Sequence, residues 1–67
     1  MEKQEFQIGD IAYCIDDDYR EFEDRIVNIH LESDGSISYS GDCEFFKNDI
    51  GSWVFKTKEE RSDYLCN

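Results

Sequence analysis

Ile11, Tyr13 and Ile15 alternate with Ala12, Cys14 and Asp16 along the chain. A repeat of two predicts a half-buried strand, because successive strand side chains point to opposite faces. Gly9-Asp10 just before it is a turn signal. Residues 16–21 are too polar and too crowded to extend that strand, so a loop or a flared hairpin end is expected there. FEDRIVNIHLE, residues 22–32, is rich in β-branched residues and has no glycine or proline, and it reads as a second, longer strand. Asp34-Gly35 within SDGS is a hairpin signal. SISYS, with Ile37 and Tyr39 apolar, is the third strand. Gly41-Asp42 turns the chain into CEFFKND, a short fourth strand, and Gly51 opens SWVF, the fifth. Five short strands joined by tight turns, all within residues 8–55, predict a small closed or nearly closed barrel, which removes exposed edges.

The pattern changes after Phe55. Thr57-Lys58-Glu59-Glu60 has the form of a capping box, threonine at the cap and glutamate three residues on. Glu59 and Glu60 fall in the first turn, where the helix dipole favours acids. A short helix is expected over about 58–66, with Tyr64 and Leu65 facing the barrel. Such a helix is too short to persist alone in water, so it must dock.

Size limits what this pattern can build. The chain has 67 residues, one domain at most, spanning 1–67. Hydrophobic residues make up 39% of it and aromatics 15%, and there is no proline. That patterned apolar content excludes a disordered acidic chain. Cys14, Cys43 and Cys66 are odd in number and irregular in spacing, which argues for reduced thiols in a cytoplasmic protein. The opening MEKQEFQIGD is polar, unlike a signal peptide, and no apolar run approaches a membrane span.

The stretches FQIGDIAYCID, RIVNI, DGSISYS and GSWVFKTKEERSDYL resemble a broad group of small phage and mobile-element proteins with SH3-like barrels. The matching positions are Gly9 and Asp10 in a turn before an apolar strand, Ile26 and Ile29 in the next strand, and Gly35 and Tyr39 in a hairpin. Phe55, Thr57, Lys58, Glu59, Glu60 and Leu65 match the closing helix. The resemblance implies a mainly β protein, a single five-stranded SH3-like barrel with a short C-terminal α-helix. It also implies a host-cell, cytoplasmic setting. Two features depart from the group. Arg61 and Tyr64 stand where alanines are usual, and an arginine on the packing side is expected to snorkel its head to water. The acids of residues 16–24 are also unusually dense.

Charge then shapes the functional expectation. Seventeen acids against seven bases give a net charge of −10. Residues 56–67 are balanced, so the whole excess lies in residues 1–55. Such a chain repels phosphate, so direct binding to nucleic acid or an anionic membrane is not expected, and its natural partners are basic. Asp16/Asp18, Glu21/Glu23, Glu32/Asp34 and Asp42/Glu44 are spaced i, i+2. In a strand such pairs share a face about 6.6 Å apart. That is of the order of successive phosphates on a nucleic-acid strand, at ~3.4 Å of axis per charge. The expected partner-binding surface is therefore Asp16, Asp17, Asp18, Glu21, Glu23, Asp24, Glu32, Asp34, Asp42 and Glu44. The expected function is a non-enzymatic inhibitor of anti-CRISPR or anti-restriction type. It would present a nucleic-acid-like face to the basic groove of a host nucleic-acid-binding protein. The alternative is a small acidic structural or regulatory adaptor.

Other chemistries find less support. His30 is the lone histidine and is expected at the surface, and no triad can be built around it. No cofactor is expected. A calcium loop counted from Asp16 would put Glu21 and Val27 where glycine and a bidentate glutamate are needed. The cysteines and His30 lack zinc-ligand spacing, so no metal site is expected. Tyr13, Tyr19, Phe22 and Tyr39 could line the barrel mouth as an aromatic cage. The simpler expectation puts Tyr13 and Tyr39 in the core, with the other two covering it.

Overall fold

A computed structural model describes residues 3–66; residues 1–2 and 67 of the expected domain lie outside the described residues. The fold is mainly β: six strands in two three-stranded sheets, and one C-terminal helix. In chain order the elements are β1 (Ile11–Ile15), β2 (Glu21–Arg25), β3 (Asn28–Leu31), β4 (Ile37–Ser40), β5 (Glu44–Phe46), β6 (Val54–Phe55) and α1 (Lys58–Cys66). One sheet has the order β2-β1-β6 and the other β3-β4-β5, with every neighbour antiparallel.

The strand expected over residues 22–32 is two strands. The chain leaves one sheet after Arg25 and enters the other at Asn28. At the corner, the Ile26 N–H donates to Asp10 O and the Val27 N–H to Ser40 O, each across to a different sheet. Ile26 is fully buried there and Val27 exposed. The corner therefore keeps its backbone paired while the strand changes partners.

Two further strands are shorter than expected. CEFFKND pairs only over Glu44–Phe46 and then winds into a 3-10 turn, Lys47–Asp49. The Asp49 carboxylate accepts the Phe46 N–H at 3.0 Å and helps reverse the chain. Of SWVF only Val54 and Phe55 are strand, because Ser52 and Trp53 donate their N–H groups to Asp49 O in the same bend.

The core lies between the sheets. Ala12, Cys14, Ile26, Ile37, Tyr39, Phe45 and Val54 are buried, joined by Phe6 from the N-terminal segment. Phe6 packs edge-on against Tyr39 and Phe45, with centroids 5.4 and 5.6 Å apart. The Tyr39 hydroxyl accepts the Glu5 N–H at 2.7 Å, so this buried polar atom is satisfied and the segment before β1 is tied down.

The helix starts as its sequence predicts. The Thr57 hydroxyl accepts the Glu60 N–H at 3.1 Å, the N-cap half of a capping box. α1 packs on β1 and β6. Its buried residue is Arg61. Leu65 is half-buried, and Tyr64 is largely exposed while its ring meets Phe55 at 5.2 Å.

Candidate functional site

The acidic segment begins as a hairpin loop, residues 16–20, between the end pair Ile15–Glu21 of β1 and β2. Asp16 organises it. Its carboxylate accepts the N–H groups of Asp18 at 2.9 Å and Arg20 at 2.8 Å. The Arg20 guanidinium pairs with Asp16 and Asp18 at 3.3 and 3.1 Å. The Arg20 backbone N–H above all, then the Asp18 N–H and the Arg20 charge, hold the Asp16 carboxyl below the usual carboxylate range. Tyr19 sits at the bend with φ 62, left-handed backbone that rarely suits a residue with a Cβ. Its ring is exposed. Asp17 has no ion-pair partner among the described residues.

β2 then separates its acids by face. Glu21 and Glu23 lie on one side and converge on Arg61 of α1. Arg61 Nη1 reaches Glu23 Oε2 at 2.7 Å and donates to Phe22 O at 3.2 Å, and Nε lies 3.3 Å from Glu21 Oε2. The guanidinium stands 5.4 Å from the centroid of the Tyr13 ring. Arg61 is only 2% exposed, so the expected snorkelling to water does not occur. Two carboxylates, one carbonyl and an aromatic face surround it instead, and its buried Nε, though 3.3 Å from Glu21, makes no hydrogen bond among the described residues. The acids on that face of β2 are thus engaged in holding the helix.

Asp24 points the other way and is 4% exposed, so it does not belong to the outer acidic surface where the sequence placed it. Its two oxygens accept the Asp42 N–H at 2.9 Å and the Cys43 N–H at 3.0 Å. It closes the turn between β4 and β5. Gly41 in that turn has no room for a side chain, since a Cβ would run into Arg25 O and the Asp24 carboxylate.

The expected rows of carboxylates form only once. Glu21/Glu23 is the one pair of the four that lies within a strand. Asp16/Asp18 and Glu32/Asp34 fall at turns, and Asp42/Glu44 runs from a bend into the first residue of β5, so in none of the three does the two-residue alternation of faces hold. Asp34 accepts the Ser36 hydroxyl at 2.7 Å and the Ser36 N–H at 3.0 Å, which keep its carboxyl low, the hydroxyl foremost. Glu32, Asp42 and Glu44 are exposed. Together with Asp17 and Asp18 they are the acids of the expected set that point to solvent without closing a turn or holding Arg61.

Beside the acidic loop lies an open groove of about 530 Å³. Tyr19, Phe22, Trp53 and Tyr64 line it, with Ile15, Ser52, Asp16 and Asp17. The aromatic cage of Tyr13, Tyr19, Phe22 and Tyr39, weighed from sequence against a simple packing role, is not assembled. Tyr39 is fully buried in the core and Tyr13 lies beneath Arg61. Tyr19 and Phe22 do meet in the groove, joined by Trp53 and Tyr64, which come from the bend before β6 and from α1. Nothing in the local pattern of the sequence brings those two positions to the loop.

His30 is exposed on β3. Cys43 and Cys66 are exposed free thiols, and Cys14 is a buried one. Burial above all, then the nearby Asp24 charge, push the Cys14 thiol up to about 12, so it stays protonated and inert at neutral pH. Among the described residues no group of three or more His, Cys, Asp or Glu side chains is placed to hold a metal ion, and no helix is long and apolar enough to cross a membrane. Compared with family models, curated proteins and solved structures, the chain matches none.

Proposed function

We propose that the protein is a non-catalytic binding module that docks its acidic surface onto a basic surface of a protein partner. The partner surface is of the kind that nucleic-acid-handling proteins offer to phosphate, and the molecule acts as an inhibitor of anti-CRISPR or anti-restriction type. One observation carries this reading. The carboxylates the fold needs for itself, Asp16, Glu21, Glu23, Asp24 and Asp34, already have partners inside the molecule. Asp17, Asp18, Glu32, Asp42 and Glu44 close no turn, yet they concentrate like charge at the bends of a −10 chain. Self-repulsion of that size disfavours the compact state, and a basic partner relieves it. The fold reading that goes with this is an SH3-like barrel. It is supported by the single chain β2–β3 serving both sheets and by the 3-10 turn before the last strand.

The test is displacement of a labelled DNA duplex from a CRISPR effector or a restriction enzyme, at low and at moderate salt. The wild type should displace the duplex, less well as salt rises. A variant carrying Asp17→Asn, Asp18→Asn, Glu32→Gln, Asp42→Asn and Glu44→Gln should do so at least about tenfold less well, chiefly through a slower association rate. Equal displacement by both proteins, or none by the wild type, overturns the proposal.

A further inference from the structure

We propose that the groove beside the acidic loop receives an arginine side chain presented by the protein partner. This deepens the reading above and rests on the molecule being an acidic module with a basic protein partner. The groove supplies what a guanidinium needs. Tyr19, Phe22, Trp53 and Tyr64 line it with aromatic rings, Tyr19 66% and Tyr64 42% exposed and the other two half-buried. Aromatic faces attract cations through the negative face of the ring, and tryptophan does so best. Charge complementarity selects the occupant. Asp17 lines the groove without an ion-pair partner among the described residues, while the Asp16 carboxylate is already taken by the Asp18 and Arg20 backbone N–H groups and the Arg20 guanidinium.

Arginine suits this lining better than lysine. Its planar guanidinium stacks on a ring and bonds a carboxylate through paired N–H groups at once, which a compact ammonium cannot do. The molecule applies the same chemistry internally: Arg61 stands 5.4 Å from the Tyr13 centroid and pairs with Glu21 and Glu23. The volume, about 530 Å³, admits a side chain together with the backbone that carries it.

Tyr19 makes the idea testable without unfolding the protein. It is 66% exposed and has φ 62, where hairpins of this kind ordinarily place glycine or asparagine. Tyr19→Gly removes a groove wall while relieving the backbone. The probes are terminally blocked hexa-arginine and hexa-lysine peptides, and the readout is the fluorescence of Trp53, the single tryptophan. Hexa-arginine should change the emission saturably and bind at least about threefold more tightly than hexa-lysine. Tyr19→Gly should weaken hexa-arginine binding about three- to tenfold with no loss in urea midpoint, and Asp17→Asn should weaken it as well. If the two peptides bind alike and Tyr19→Gly changes nothing, the groove proposal falls while the acidic-module reading stands. If neither peptide binds at low salt, both fall.

Discussion

Asp24→Asn separates an acid that holds the fold from the acids that decorate it. Each Asp24 oxygen accepts one backbone N–H, from Asp42 at 2.9 Å and Cys43 at 3.0 Å, and the residue is 4% exposed. Asparagine keeps one acceptor, so one of the two N–H groups then faces an NH₂ donor at a part-buried site. A hydrogen bond to a charged group contributes about 1.5–3 kcal/mol, and a stranded buried donor costs about 1–3 kcal/mol. The net loss should be about 2–3 kcal/mol, against only tenths gained by removing one charge from an overcharged chain. Asp24→Ala strands both donors and should cost about 3–5 kcal/mol. A domain of this size has about 3–10 kcal/mol in all, so either change is severe. Urea unfolding followed by Trp53 fluorescence reads the effect. With a slope of about 1 kcal/mol/M, Asp24→Asn should lower the midpoint by about 2–3 M. Asp17→Asn, of equal charge change, should leave the midpoint in place or raise it. A midpoint for Asp24→Asn within about 0.5 M of wild type would refute the reasoning and return Asp24 to the surface set.

Arg61→Met keeps the long stem and removes the charge. Glu21 and Glu23 are about half exposed and can turn to water, so stability should stay within about 1 kcal/mol, whereas Arg61→Ala should lose about 2–4 kcal/mol of packing; equal losses in urea unfolding would show that charge dominates. The Cys14 thiol is about 12 folded against 9.0 when unperturbed, so the folded state holds its proton more tightly. Stability from this group is complete below about pH 9 and is lost as pH rises toward 12, up to about 4 kcal/mol; Cys14→Ala should remove that slope from urea midpoints measured at pH 8, 10 and 11. A thiol reagent at neutral pH should label Cys43 and Cys66 in the folded protein and Cys14 only after unfolding, with no change in melting temperature on reduction. Removing residues 57–67 uncovers Phe55 and the Tyr13 ring over which Arg61 lies, and should abolish the near-ultraviolet dichroism of the folded state; a native spectrum from the shortened chain would make α1 an appendage.

The sequence revealed local features well and long-range ones poorly. β1 is legible as a strand but its core face is not: Ala12 and Cys14 are fully buried and Ile15 is buried, while Ile11 and Tyr13 of the expected apolar set are only half-buried; the start of α1 is legible because Thr57 and Glu60 carry their own hydrogen bond. The corner at Ile26–Val27 was not legible. A run of β-branched residues says that the chain is extended, not which sheet its N–H groups will join, and the partners Asp10 and Ser40 lie 16 and 13 residues away. The same limit governs the acids. In DDDYREFED all six carboxylates look equivalent, and a count of charge treats them so. Folding sorts them by what distant segments bring. The turn at Asp42–Cys43 takes Asp24 inward, and Arg61 draws Glu21 and Glu23 to the helix. Asp16 closes its own loop, a pairing within four residues that an aspartate at the head of a hairpin could have announced. Asp17 and Asp18 are left on the outside. The acids of the segment thus fall into two groups. Most of its acids are structural, each with a specific donor or cation. Of the other two, Asp18 pairs with Arg20 at the surface, and Asp17 lines an aromatic groove whose other wall, Trp53 and Tyr64, arrives from thirty or more residues further along the chain. A reading from charge alone could find the acids but not that wall.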